Sequence, residues 1–143
     1  MRLTERCLPG DPPTPDEIEA ATELTQKILA DAFAAVPVAQ ARTFIGVAGT
    51  VTTLSAVHMD LPEYDSEQLH LSRMPLSAIR KTTADLLAMT REQRAALGPM
   101  HPGRVDVIGA GALVLRVLVD QVGVAEIVVS EHDILDGIAR SIG

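Results

Sequence analysis

The sequence predicts an α/β domain, a small sheet covered by helices, and three observations carry that prediction. Apolar residues make up 47% of the 143, yet only two Phe and one Tyr supply aromatic bulk. The core must therefore be built from Leu, Ile, Val, Ala and Met, which suits helices laid closely on a sheet. Helical periodicities recur between two β-favouring runs, Arg42 to Val47 and Ala125 to Ser130. Phe44 to Leu54 joins the two kinds of structure directly, as an apolar run that breaks at Gly46 and Gly49 and resumes as a helix. A chain of this length holds one packed domain and is short for two.

Taken in order, Met1 to Pro13 reads as a short strand-like opening and a Pro/Gly connector. Thr14-Pro15-Asp16-Glu17 is a capping box with proline at the first helical position, and Ile18, Ala21, Leu24, Ile28 and Leu29 follow at helical spacing to about Val36. A strand over Arg42 to Val47 then leads into a helix from Thr50, its cap, to about His58, with Val51, Leu54 and Val57 on one face. Asp60 to Asp65 is loop, and weak alternation over Gln68 to Ser72 suggests an edge strand. Leu76, Ile79, Thr83, Leu86 and Leu87 mark a helix ending near Met89, with Arg80, Lys81 and Asp85 left to solvent.

Thr90 to Gln93 is a second capping box and opens a helix of a turn or two, stopped by Gly98-Pro99 and Pro102-Gly103. Val105 to about Val122 is apolar nearly all round and reads as a buried helix. Gly109 to Ala112 lie at its middle, where two backbones can approach closely, and Gly123 is its cap. Ala125 to Ser130 is the clearest strand, and its run Ile127 to Val129 suits a sheet covered on both faces. A last helix from Asp133 to about Ile142 would turn Ile134, Leu135, Ile138 and Ile142 inward.

Charge and cysteine usage narrow the function. A formal charge of -7 argues against a nucleic-acid surface, and a polyanionic ligand would need a local basic cluster to offset it. Cys7 is the only cysteine, so no internal disulfide can form and a cytoplasmic location is the default expectation. The longest apolar run, Val107 to Leu115, is too short to span a bilayer, so no membrane partner is expected.

The strand, turn and helix start over Gly46 to Thr53 is where an anion would sit, because helix N-termini carry unpaired N–H groups and the positive end of the dipole. The motif lacks a P-loop lysine and a third dinucleotide glycine, so by spacing alone a plain turn is as good a reading. Thr52 and Thr53 add hydroxyl donors. Arg73, Arg80, Lys81, Arg91, Arg94, His101 and Arg104 are the densest basic content, and a solvated face with local pairs such as Arg80 or Lys81 with Asp85 is the simpler reading. Arg104 stands out, since at a helix start it opposes the dipole. Ser130-Glu131-His132-Asp133 cannot form a triad from adjacent positions, and the four histidines lack metal-ligand spacing, so neither a catalytic residue nor a metal ligand is nominated.

The blocks Gly46-Val47-Ala48-Gly49-Thr50-Val51-Thr52-Thr53-Leu54, Tyr64-Asp65, Met89 to Arg94, Pro102 to Ala112, and Val129 to Gly137 together resemble the Ppx/GppA phosphatases, the exopolyphosphatases and guanosine pentaphosphate phosphohydrolases. Five blocks in order cover essentially the whole chain, matched to the second half of a two-domain member. The resemblance implies an RNase H-like half of the actin, sugar kinase and chaperone ATPase superfamily. It implies that the Gly46 to Thr53 turn is the phosphate or nucleotide loop, with Gly46, Ala48, Gly49, Thr50 and Thr52 as its contacts and Arg94 and Arg104 as side-chain partners. The helix that follows Arg104 would pack at the interface between the two domains.

Family members cleave terminal phosphate from polyphosphate or guanosine pentaphosphate by water attack, with a catalytic glutamate and usually magnesium. That glutamate is expected on an N-terminal domain preceding Met1, and Arg2 to Arg6 look like the segment following one of its phosphate loops. The 143-residue chain is thus expected to hold polyphosphate or guanosine pentaphosphate without hydrolysing it. A non-catalytic binding or interaction domain is the reading from another class. An exposed apolar face on the helix from Val105 to Val122, with homodimerisation as its sign, is expected if another domain normally covers it.

Overall fold

The computed structural model describes residues 7–35 and 44–131. Their order is α1 (Pro15–Ala35), β1 (Ile45–Gly46), α2 (Ala48–His58), α3 (Ser66–Leu69), β2 (Arg73–Pro75), α4 (Leu76–Ala88), α5 (Arg91–Ala95), a 3-10 turn (Pro102–Arg104), α6 (Ile108–Val122) and β3 (Glu126–Val129). The helix expected from Asp133 and residues Met1 to Arg6 lie outside the described residues; Cys7, within the expected strand-like opening, is helical.

Both capping boxes form. At α1 the Thr14 hydroxyl accepts from the Glu17 amide at 3.2 Å while the Glu17 carboxylate accepts from the Thr14 amide at 3.1 Å. The same carboxylate oxygen accepts from the Gly10 amide at 3.0 Å and so ties the Pro/Gly connector to the helix. At α5, Thr90 and Gln93 make the reciprocal pair. The expected inward stripe of α1 is only partly realised. Ile18 and Ala21 join Leu8, Leu87, Ala110 and Leu113 in a small cluster against α6, but Ile28 is 60% exposed because α1 runs past that cluster.

Strand β3 is central, parallel to β1 through Ile45↔Val128 and Gly46↔Val129, and antiparallel to β2 through Arg73↔Val128 and Met74↔Ile127. Its burial alternates, with Ile127 and Val129 buried and Glu126 and Val128 half-buried. Among the described residues the sheet is therefore fully covered on one face, and Val128 on the other face is only half-buried, where cover on both was expected. The other face carries Ile45, 62% exposed, and Arg73. On the covered side Leu54, Met74, Ile79, Leu86, Ile108 and Val119 fill an aliphatic core.

Four further expectations need correction. Gln68 to Ser72 is no strand, because the Asp65 carboxylate accepts from the Glu67 and Gln68 amides and nucleates α3, whose Leu69 is fully buried. The edge strand begins only at Arg73, after Leu71 turns the chain at φ 64°. Thr50 does not cap α2, since the helix starts at Ala48 behind Val47, which makes no side-chain cap bond. The helix expected from Val105 starts at Ile108, after the 3-10 turn and the residues that follow it. Its predicted exposed apolar face is also missing, because α1, α2 and α4 cover α6 and every apolar side chain on it is buried or half-buried.

The small residues of α6 make that coverage possible. A Cβ on Gly111 would lie 2.8 Å from the Thr50 side chain, and one on Gly109 3.3 Å from Leu87. Gly123 closes the helix at φ 79°, its amide donating to Val119 at 2.9 Å.

A cleft at the start of helix α2

The chain turns from β1 into α2 at Val47, and the first amides of α2, on Ala48, Gly49 and Thr50, have no carbonyl partner inside the helix. Beside this uncapped end lies a cleft of about 520 Å³ lined by Gly49, Thr52, Thr53, Tyr64, Arg104 and the wall from Gly98 to Pro102. The Arg104 guanidinium rests on Gly49 so closely that a Cβ there would collide with it. Glycine at 49 is thus required by the approach of an arginine to the first turn of α2. Among the described residues, no carboxylate lies within ion-pair distance of Arg104.

The remaining walls are held from several elements. The 3-10 turn delivers Arg104, whose amide donates to the His101 carbonyl at 2.9 Å. Gly98 lets the far wall lie on the loop at Pro62, where a side chain would strike backbone. Thr52 is buried, and its hydroxyl donates to the Gly49 carbonyl at 3.3 Å. The Tyr64 hydroxyl donates to the Glu131 carboxylate, and the Glu131 amide donates to His70 Nδ1 at 3.2 Å, so the end of β3 is tied to this rim. Burial and the Glu131 carboxylate raise the Tyr64 pKa above its ordinary value, with Thr52 and Arg104 pulling the other way. Tyr64 therefore stays a neutral donor at physiological pH.

Of the residues nominated from sequence, Gly49, Thr52 and Arg104 meet in the cleft, while Ala48 and Thr50 stand in the first turn of α2 without lining it. The Thr50 side chain instead packs over Gly111. Gly46 sits in β1, where its missing Cβ makes room for Val51 and Ile127. Arg94 is elsewhere: it is only 9% exposed, its Nε donates to the Val105 carbonyl at 3.2 Å, and one Nη donates to the Met89 and Leu86 carbonyls at 2.7 and 3.4 Å. The solvated-face reading holds for Arg73, Arg80, Lys81 and Arg91, which pair with Glu126, Asp120, Asp85 and Asp106.

Sequence reasoning did not nominate Tyr64, His101 or Glu131 for the cleft. The lone tyrosine of the chain in a loop, and a histidine inside a Pro/Gly corner, were the available signals. Among the described residues no group of three or more His, Cys, Asp or Glu side chains is arranged to hold a metal ion, and no helix is long and apolar enough to cross a membrane.

Sheet order, helix cover and an arginine-lined cleft at a glycine turn define an α/β domain with a candidate site at the start of α2. The chain belongs to the Ppx/GppA phosphatase family, whose sequence profile matches residues 1–142. It is 51% identical over 146 residues to exopolyphosphatase 2 of Mycobacterium tuberculosis, covering 99% of this chain and 46% of that protein. A bifunctional 3-dehydroquinate synthase/phosphatase of Fusobacterium nucleatum is 36% identical over 95 residues, 66% of this chain and 14% of that one.

Among solved structures, that of an exopolyphosphatase-like protein superimposes with a TM-score of 0.96 at 38% identity, over 99% of this chain and 47% of the other. The Ppx/GppA family member of Aquifex aeolicus gives 0.88 at 24% identity, over 99% and 45% of the two chains, and supports the fold alone. The fold is that of an RNase H-like, actin-like half. The chain spans about half the length of the curated exopolyphosphatases it matches.

Proposed function

We propose that residues 1–143 act as one domain, the C-terminal half-site of an exopolyphosphatase-like enzyme, and that the cleft at α2 holds the phosphate chain of polyphosphate. One observation carries this reading. A guanidinium without a carboxylate partner among the described residues lies against the uncapped, positive end of a helix, and only an anion between them makes that juxtaposition favourable. Arg104 then supplies a planar pair of donors and the first turn of α2 supplies backbone N–H groups, while Thr52 and Tyr64, whose hydroxyl protons go to the Gly49 carbonyl and the Glu131 carboxylate, shape the walls.

Cleavage of a terminal phosphoanhydride needs an activated water and donors on both sides of the transferred group. One wall provides part of that set. On this reading the catalytic glutamate belongs to the half of the relatives that this chain does not span, and the partner of this face is that half. Magnesium, when present, would neutralise phosphate oxygens and be held through the phosphates themselves, because the described residues offer no cluster of ligands for it. A cytoplasmic location fits this substrate.

The test is titration of the 143-residue chain with tripolyphosphate, followed by calorimetry. Arg104→Gln should weaken binding by about tenfold or more, the value of a charge-assisted bond of about 1.5–3 kcal/mol, with the melting temperature unchanged. Binding should proceed without phosphate release, even with magnesium. Unaltered affinity in the variant would remove the cleft from consideration. Preference for guanosine pentaphosphate over tripolyphosphate would instead favour a site that reads a base.

A further inference from the structure

We propose that His101 is a direct contact for the bound anion, through its Nε2–H, and that this rests on the phosphate reading of the cleft. His101 lines the cleft and is the cap of the 3-10 turn that carries Arg104. Its Nδ1 accepts from the Gly103 amide at 3.0 Å. An imidazole nitrogen that accepts cannot carry the ring proton, so the neutral ring is fixed as the Nε2–H tautomer, with one donor left to give.

The backbone reinforces the arrangement. The His101 carbonyl accepts from the Arg104 amide at 2.9 Å, closing the turn. In a 3-10 turn, residues three apart eclipse, so positions 101 and 104 share one side of it. Gly103 keeps the ring against the backbone, since a Cβ there would sit 3.2 Å from Nδ1. The turn is thus a device that presents a fixed imidazole donor and a guanidinium together to one cleft. The ion pairs that occupy Arg73, Arg80, Lys81 and Arg91 do not involve either group.

Two substitutions separate the cap from the contact. His101→Asn keeps an acceptor near the Nδ1 position and removes the Nε2 donor. His101→Gln places a donor near Nε2 and gives up the short-range acceptor. In the 143-residue chain, H101N should leave the melting temperature close to wild type and weaken tripolyphosphate binding about fivefold, as expected for one lost hydrogen bond. H101Q should melt lower and bind more tightly than H101N.

A wild-type affinity in H101N overturns the contact, as does a loss of affinity that tracks melting temperature equally in both variants. An NMR spectrum of the imidazole nitrogens gives a readout that a purely structural role would not move: the Nε2 signal of His101 should shift on adding tripolyphosphate, and an unmoved signal also overturns the proposal. Arg104→Gln distinguishes the two levels. If it weakens binding while H101N does not, only the histidine contact fails; if it too binds normally, the cleft reading fails.

Discussion

Arg94 and Arg104 lie ten positions apart on either side of one Gly/Pro corner, yet the fold treats them in opposite ways. Arg94 is buried and its guanidinium donates to the Leu86 and Met89 carbonyls at the C-terminal end of α4 and to the Val105 carbonyl that follows the 3-10 turn. Arg104 is half-buried, lies on the bare Cα of Gly49 and faces a cleft. The difference is a matter of which acceptors the backbone presents. A guanidinium met by carbonyls becomes part of the framework, whereas one met by a helix N-terminus has donors on both sides, and on the proposed reading an anion completes it.

The sharpest way to break this comparison is Arg94→Ala. It leaves carbonyls inside the structure without donors and opens space beside the small cavity lined by Leu8, Leu87 and Ala110. We expect a loss of about 2–4 kcal/mol in urea unfolding, from unpaired acceptors and lost packing together. Wherever the variant remains folded, its tripolyphosphate affinity should match wild type. A stable Arg94→Ala chain with weakened affinity would place Arg94, against its geometry, in the ligand site.

The cleft glycines give a second, smaller contrast. A Cβ on Gly98 meets the Pro62 backbone, which cannot yield, while one on Gly49 meets the flexible end of Arg104, which can swing away. Gly98→Ala should therefore cost about 1–3 kcal/mol of stability, the range for a forced backbone shift. Gly49→Ala should fold nearly as well as wild type and lose affinity instead. Equal melting temperatures for the two variants would show that the Gly98 contact relaxes in solution.

Much of this fold was legible in the sequence because its signals are local. Thr14 and Glu17, Thr90 and Gln93, and Gly123 each act within a few residues, and each element begins or ends where they direct. What was misread depends on groups far along the chain. A threonine after a glycine can cap or pack, and Thr50 packs because α6 offers the bare Gly111. An arginine beside a loop can face solvent, ligand or carbonyls, and Arg94, which the resemblance places among the ligand contacts, is captured by the Val105 carbonyl eleven residues later. The weak alternation of Gln68 to Ser72 lost to Asp65, which the sequence reading places in a loop and which caps α3 in the structure. Of the site, Gly49, Arg104, Tyr64 and Glu131 all fall in the blocks that carry the resemblance, but the meeting of Tyr64 with Glu131 and of His101 with Arg104 at one cleft is visible only in three dimensions.

The smallest effect concerns Arg91, three residues from Arg94 on the same short helix, and it isolates the role of burial. Arg91 pairs with Asp106 at 2.6 Å with both side chains largely in water. The hydrogen bond from Arg91 holds the Asp106 carboxyl below its ordinary value, despite a small opposing desolvation, and the Arg91 pKa is raised reciprocally. A carboxyl whose pKa is depressed by folding stabilises the folded state fully above its unfolded value and loses that contribution as pH falls through the folded one. The window therefore lies below about pH 4. Urea midpoints of wild type and Asp106→Asn should differ slightly at pH 7 and approach each other as pH falls below the ordinary carboxylate range, with salt narrowing the pH 7 difference. The Arg94 contribution should persist across the same range, because its acceptors are carbonyls that do not titrate. A difference for Asp106→Asn at pH 7 as large as that for Arg94→Ala would mean that charge, and not the burial of unpaired carbonyls, governs this corner.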